Sequence, residues 1–306
     1  MLNKLNAYEH YFKYRYLLVD NLVALQDESP LSQRSLRNTV GEKNIANVLR
    51  SDLSHDPKVC PTLITLAEPA KYLEKAIITD ITAQASLECL WPKRYLCAVI
   101  ITELAPKALA EKLVAIGDKI ADSAQLPFYP FFEPFRLELL QQVATLETQN
   151  GLSAQLSAIE GYYYPSIHQG LLTPYPVAIN DEVIDTNWSR ALVDSLTHLK
   201  LTQTLVIAWA NSRTKPASQQ GLPLANGIIL QCHHLVEQAI TLGLTNSNDI
   251  LFWGLTSLSV NVDFAKYEEA LTLIKQAKHS PGTLSQGFID TPKSVWDNII
   301  LRDKSQ

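Results

Sequence analysis

At 306 residues, with 46% hydrophobic and 19% charged side chains, the chain has the composition of a folded protein large enough for two lobes, and long disordered tracts are excluded. The net charge of −5 comes without any cluster of Lys and Arg beyond isolated pairs such as Lys93-Arg94, so the basic footprint of a nucleic-acid binder is missing. No stretch reaches the roughly 18 apolar residues that cross a bilayer, so neither nucleic acid nor membrane is expected as a partner.

The opening MLNKLNAYEHYFKYRYLLVD is polar and aromatic and does not read as a secretory signal. Tyr16 to Asp20 suits a buried first strand. The polar stretch from Gln26 to Lys58 reads as loop with a short helix near Asn44 to Leu53. Pro61 to Ala67 alternates as a strand and meets Glu68-Pro69, a junction where a helix begins. That helix carries Leu73, Ile77, Ile81 and Ala85 on one stripe and ends near Trp91-Pro92. Tyr95 to Thr102, β-branched and apolar, gives the strongest strand signal. Pro106 then opens a helix with Leu109, Leu113, Ile116 and Ile120 on one face.

The prolines of Leu126 to Phe135 forbid a central strand and leave an edge strand or a rigid loop. Leu137 to Leu146 is helical in composition, and Ala158 to Pro165 is a further strand. Pro165, Pro174 and Pro176 mark a change of texture, and the lobe boundary is placed near residue 178. Beyond it the pattern predicts helices over Trp188 to Leu199, Leu222 to Leu242, Asn248 to Leu258 and Phe264 to Lys278, and one opening at Thr291-Pro292. Gly243 reads as the residue that ends the second of these, and Thr245 or Ser247 as the cap of the third. Leu201 to Ala210 fits either strand or helix. The predicted fold is therefore an α/β (α+β) N-terminal lobe over 1–178, with a mixed sheet covered by helices, and an all-helical lobe over 179–306.

The sequence holds no nucleophile elbow, Walker loop, dinucleotide fingerprint or zincin helix, and no cofactor or catalytic residue is assigned. Cys60, Cys89, Cys97 and Cys232 lie on apolar segments at irregular spacings, as buried thiols of a reducing compartment do; the cytoplasm is the expected location. Cys232-His233-His234 has metal-binding residue types, but neighbours on a helix point about 100° apart, so a buried Cys232 beside a half-exposed histidine pair is the simpler expectation. Glu268-Glu269 reads as solvated charge. Two aromatic runs remain: Phe128 to Phe132 and Tyr162-Tyr163-Tyr164-Pro165. Side chains alternate across a strand, so at least one of these tyrosines should face away from the core. Tyr129, Phe131, Phe132, Tyr162, Tyr163 and Tyr164 are accordingly candidate partner-binding residues, with sheet packing as the even alternative.

Read in order, three segments resemble the bacterial type VI secretion effector adaptors, or effector chaperones. Tyr16 to Asp20 looks like that family's first strand. Leu126 to Arg136, running into Leu137-Glu-Leu-Leu140, is similar to the family's arginine, phenylalanine, tyrosine, aspartate, proline segment before a leucine-rich helix, although Pro127 stands for the arginine and Pro130 for the aspartate. His234 to Ile250, Val262 to Phe264 and Pro292 to Trp296 look like the family's helical C-terminal lobe. The resemblance implies a cytoplasmic, non-enzymatic adaptor that binds a secreted effector and helps load it onto a VgrG-type or PAAR-type spike protein. A hydrolase-like enzyme with an unrecognised site, or a structural component of a contractile injection machine, are the alternatives.

Overall fold

The computed structural model describes residues 2–53, 55–143, 146–167, 172–175, 196–213 and 224–305. The chain divides into two compact units, Met1–Asp194 and Ser195–Gln306. The boundary expected near 178 lies outside the described residues.

In the first unit, strands β1 (Tyr14–Val19), β2 (Ile45–Asn47), β3 (Thr62–Ala67), β4 (Leu96–Thr102), β5 (Ile159–Pro165) and β6 (Leu172–Tyr175) form one six-stranded sheet in the order β2-β3-β1-β4-β5-β6. The helices are α1 (Leu2–Leu5), α2 (Gln33–Val40), α3 (Lys75–Leu87), α4 (Pro106–Ala124), α5 (Pro134–Val143) and α6 (Leu146–Gln155). The α+β class holds, but the sheet is not mixed: every pairing is antiparallel. The reason lies in β1. Because β3 and β4 both run antiparallel to β1, they run parallel to one another, as the helical connection through α3 demands. β1 is inserted between them, so the two strands joined by a helix are never neighbours.

Register then sorts the core. Leu17 aligns with Ile64 on one side and Val99 on the other. These three share one face with Leu36 of α2 and with Ile78, Ile81 and Ala85 of α3. Tyr16, Ile100 and Tyr162 align on the opposite face and are buried. There α4 packs against β2 and β3, with the expected stripe Leu109, Leu113, Ile116 and Ile120 inside. Gly117 interrupts α4 for a steric reason: a Cβ there would overlap the Phe128 ring, and Tyr129 N–H donates to the Gly117 carbonyl at 3.2 Å. β6 sits at the sheet edge, where Pro174, opposite Tyr163, costs no ladder bond.

Two local expectations change. The helix expected near Asn44 to Leu53 is instead a 3-10 turn over Glu42–Asn44 followed by β2, because Ile45 pairs with Ile64. The helix of this region is α2, capped by Ser32, whose hydroxyl accepts from Ser35 N–H at 3.1 Å. Leu126 to Glu133 is the rigid loop rather than an edge strand, with Phe131 N–H turned back to the Tyr129 carbonyl at 2.8 Å.

The described part of the second unit is helical: α7 (Leu199–Arg213), α8 (Ile228–Thr241), α9 (Ser247–Val260), α10 (Glu268–His279), α11 (Leu284–Asp290) and α12 (Lys293–Lys304). The ambiguous run from Leu201 to Ala210 is helix. Most of the helix expected over Trp188 to Leu199 lies outside the described residues. Gly243 takes a φ of 95°, as a helix-ending glycine does. The cap of α9 is Asn246, between the two residues expected, and its side chain accepts from Asn248 N–H at 2.8 Å. Asp249, buried in the first turn of α9, accepts from Gly282 N–H at 2.6 Å and Leu284 N–H at 3.0 Å, so one carboxylate fastens α9 to the start of α11. Among the described residues no helix is long and apolar enough to cross a membrane.

Candidate protein-contact surface

The aromatic residues singled out from sequence are core. Tyr129, Phe131 and Phe132 are at most 1% exposed, and Tyr162 and Tyr164 at most 4%. Burial leaves those five no surface to offer a partner, which corrects the expectation placed on them. In the loop, Gly117 leaves room for the Phe128 ring against α4. In β5 the face carrying Tyr162 and Tyr164 is covered at those two positions, and both rings meet Tyr175 edge-on. Tyr163, on the other face, is half-buried against the α2 and α3 core.

The end of the sheet where β1 and β5 finish and β4 begins is instead a nest of paired charge. Lys93 Nζ lies 3.1 Å from Asp20 Oδ2 and 3.3 Å from Glu133 Oε1, and Arg136 Nε is 2.6 Å from Glu133 Oε2. Burial pushes the Glu133 carboxyl up, but the Arg136 and Lys93 charges outweigh it and hold it below its ordinary value. Glu88, fully buried, accepts from Leu96 N–H at 2.7 Å and Tyr95 N–H at 3.0 Å, and its burial raises its pKa. The Arg94 guanidinium donates to the Pro165 carbonyl at 2.8 Å, while Glu138 accepts from Ser166 Oγ at 2.8 Å and Ile167 N–H at 3.0 Å. Each of these groups ends a strand or ties a helix to one. Such contacts suit fastening more than chemistry.

The opposite end of the same sheet, before β1 and after β3, holds the surface that sequence reading passed over. Tyr8 is 81% exposed, Phe12 64% and Tyr72 63%. Tyr11 joins Phe12 and Tyr72, with its ring centroid 5.1 Å from one, edge-on, and 4.9 Å from the other. Beneath the rings the backbone is stitched. The Asn6 side chain exchanges two hydrogen bonds with the Leu73 backbone, at 3.1 Å and 2.9 Å. Ala70, forced to a φ of 65°, donates its N–H to the Tyr11 carbonyl at 2.8 Å. Arg15, 1% exposed, donates to the carbonyls of His10 at 2.6 Å and Lys13 at 2.9 Å, and also to that of Lys71. One guanidinium thus holds the turn before β1 against the loop after β3, and the aromatics stand on a fixed base.

The clue in the sequence was the density of Tyr8, Tyr11, Phe12, Tyr14 and Tyr16. Only Tyr14 and Tyr16 fall inside β1, where period 2 stacks them on one face, 5.5 Å apart. The residues before the strand were left outside. Tyr72 had no local signal, since its place depends on a contact from Arg15.

In the helical unit, Cys232 and His233 point into the core and His234 is exposed. His233 was expected half-exposed; Glu237, one turn along at 3.2 Å, and Thr202 of α7, 3.4 Å away, accommodate it inside. Burial lowers its pKa, opposed by Glu237. Among the described residues no group of three or more His, Cys, Asp or Glu is placed to hold a metal. No protein-family model, curated protein or solved structure matches this chain.

Proposed function

We propose that the chain is a non-enzymatic adaptor that grips a type VI secretion effector and helps load it onto a VgrG-type or PAAR-type spike protein in the cytoplasm. The observation that carries the gripping is the platform of Tyr8, Tyr11, Phe12 and Tyr72. Exposed rings cost stability in a lone monomer, and Tyr and Phe anchor protein interfaces. A base already ordered by Arg15 and Asn6 spares the partner the cost of ordering it. The kind of partner comes from the resemblance of Tyr16 to Asp20, Leu126 to Leu140 and the helical tail to the effector adaptors. The non-enzymatic reading is supported by the use of the buried charges, Glu88, Arg94, Glu133 and Glu138, as fasteners of strand ends.

Co-expression with the effector and spike genes beside its own tests this reading. A stable stoichiometric complex is expected with one of them, and the double variant Tyr8→Ser, Phe12→Ser should lose it while keeping its fold. Failure to form a complex with every neighbouring effector and spike protein would sink the proposal. A complex that survives the double variant unchanged would move the grip elsewhere on the chain.

A further inference from the structure

The helical unit carries a cavity of about 520 Å³ between α8, the end of α9 and the end of α12. Its lining combines apolar Leu230, Leu235 and Val262 with polar Gln231, His234 and Asn261 and the carboxylates of Asp263 and Asp303. Both carboxylates are held in place by neutral donors. Asp263 Oδ1 accepts from Gln238 Nε2 at 3.0 Å and from Ala265 N–H at 3.3 Å. Asp303 Oδ1 accepts from Tyr267 Oη at 3.0 Å. Lys266 Nζ stands 3.8 Å from Asp263 Oδ2 on a side chain that is 59% exposed, and Arg302, over the Tyr267 ring, is paired with Glu269 at 2.8 Å. In the same lining Ser257 is 5% exposed, and its hydroxyl has no hydrogen-bond partner among the described residues. An unpartnered buried hydroxyl is a group a ligand can satisfy.

We infer that this cavity binds an alkyl cation, a guanidinium or ammonium on an aliphatic stem, with the stem on Leu230, Leu235 and Val262 and the charged head between Asp263 and Asp303. Charge-assisted hydrogen bonds to carboxylates are the strong ones. An apolar lining beside them matches the amphipathic build of an arginine or lysine side chain. Metal ions are poor candidates, because only two carboxylates line the cavity and three or more ligands are needed. The head group can come from a side chain of a bound protein or from a free amine, and the two sources are separable by experiment. The inference stands on the helical unit and does not depend on the adaptor reading.

The structure supplies a reporter. Trp253 Nε1–H donates to Gln238 Oε1 at 3.0 Å, and Gln238 in turn holds Asp263, so the indole N–H resonance of Trp253 senses the wall. With the full-length protein labelled with nitrogen-15, titrations would use N-acetyl-L-arginine amide as the protein-side-chain probe and agmatine as the free-amine probe. N-acetyl-L-citrulline amide serves as the uncharged isostere, and the resonance is assigned by Trp253→Phe. Saturable movement of the Trp253 resonance by at least one cation, and none by citrulline, is expected. Tighter binding of the arginine amide marks a protein side chain as the source, and tighter binding of agmatine marks a free amine. Asp303→Asn, which keeps the acceptor for Tyr267, should weaken binding at least tenfold. Gln231→Lys, at an exposed helical position, should abolish it by placing a cation in the wall. No movement with either cation, or equal movement with citrulline, overturns the inference, as does unchanged binding in Gln231→Lys.

Discussion

The two ends of the six-stranded sheet treat their side chains in opposite ways. At the end where β4 begins, charged groups are taken out of water and paired: Asp20 with Lys93, Lys93 and Arg136 with Glu133, and Glu88 with two backbone amides. At the end where β1 begins, the buried charge among the described residues is Arg15 alone, spent on carbonyl oxygens, and aromatic rings are put out into water instead. Charge inside and aromatics outside invert the usual partition. The inversion separates two duties. One end is consumed in holding strands together, and the other is held from below so that its upper side stays open.

That contrast can be broken experimentally. The largest effect is expected from Glu88→Ala, which leaves the Tyr95 and Leu96 amides buried without an acceptor. At about 1–3 kcal/mol for each such group, the loss is about 4 kcal/mol by denaturant unfolding, and Glu88→Gln, which restores one acceptor, should recover part of it. Next comes Arg15→Met, which strips the Lys13 and Lys71 carbonyls of the guanidinium donor and leaves the His10 carbonyl with the Lys13 N–H alone. A loss of about 2–3 kcal/mol is expected, and partner binding should fall although every ring of the platform remains; full binding in a folded Arg15→Met would show that the base is irrelevant to the grip.

A smaller effect distinguishes the charged end by its acid response. The Glu133 pKa is held below its ordinary 4.5 by Arg136 and Lys93. The stability it contributes is fully present above 4.5 and is lost as pH falls through the lowered value of the folded state. Melting curves from pH 6 to pH 3 should therefore be flatter for Glu133→Gln than for the wild type. The smallest effect on stability belongs to the platform: Tyr8→Ser with Phe12→Ser should shift unfolding by less than about 0.5 kcal/mol, as exposed positions do, while removing a partner that depends on them. A large loss of stability in that double variant would make the rings structural and end the comparison.

The framework was legible in the sequence, and the division between its two ends was not. The strands β1, β3, β4 and β5 and the stripe of α4 announce themselves by apolar runs, β-branched composition or period, because these are local signals. The charged end was not visible, since Glu88 and Glu138 are ordinary helix residues until Leu96 and Ile167 arrive from elsewhere in the chain. The aromatic surface was misplaced for a related reason. Tyr162 and Tyr164 look outward only if one face of β5 is bare, and alternation says which residues share a face without saying whether the face is covered. Nor does the order of strands follow from the rhythm of strand and helix, because nothing in β3, α3 or β4 records that β1 will lie between them.

That insertion also governs when the protein comes into being. β1 is synthesised first, yet both of its hydrogen-bonded edges belong to strands made later, Thr62–Ala67 and Leu96–Thr102. A chain emerging from the ribosome therefore carries Tyr8, Phe12 and an apolar strand with at least one open edge until β4 has been made, and contacts this distant close slowly. Fragments ending between β3 and β4 should aggregate through the open edge of β1. The aromatic surface is then completed late, when the loop after β3 is pinned under Arg15 and the central strand has gained its second neighbour.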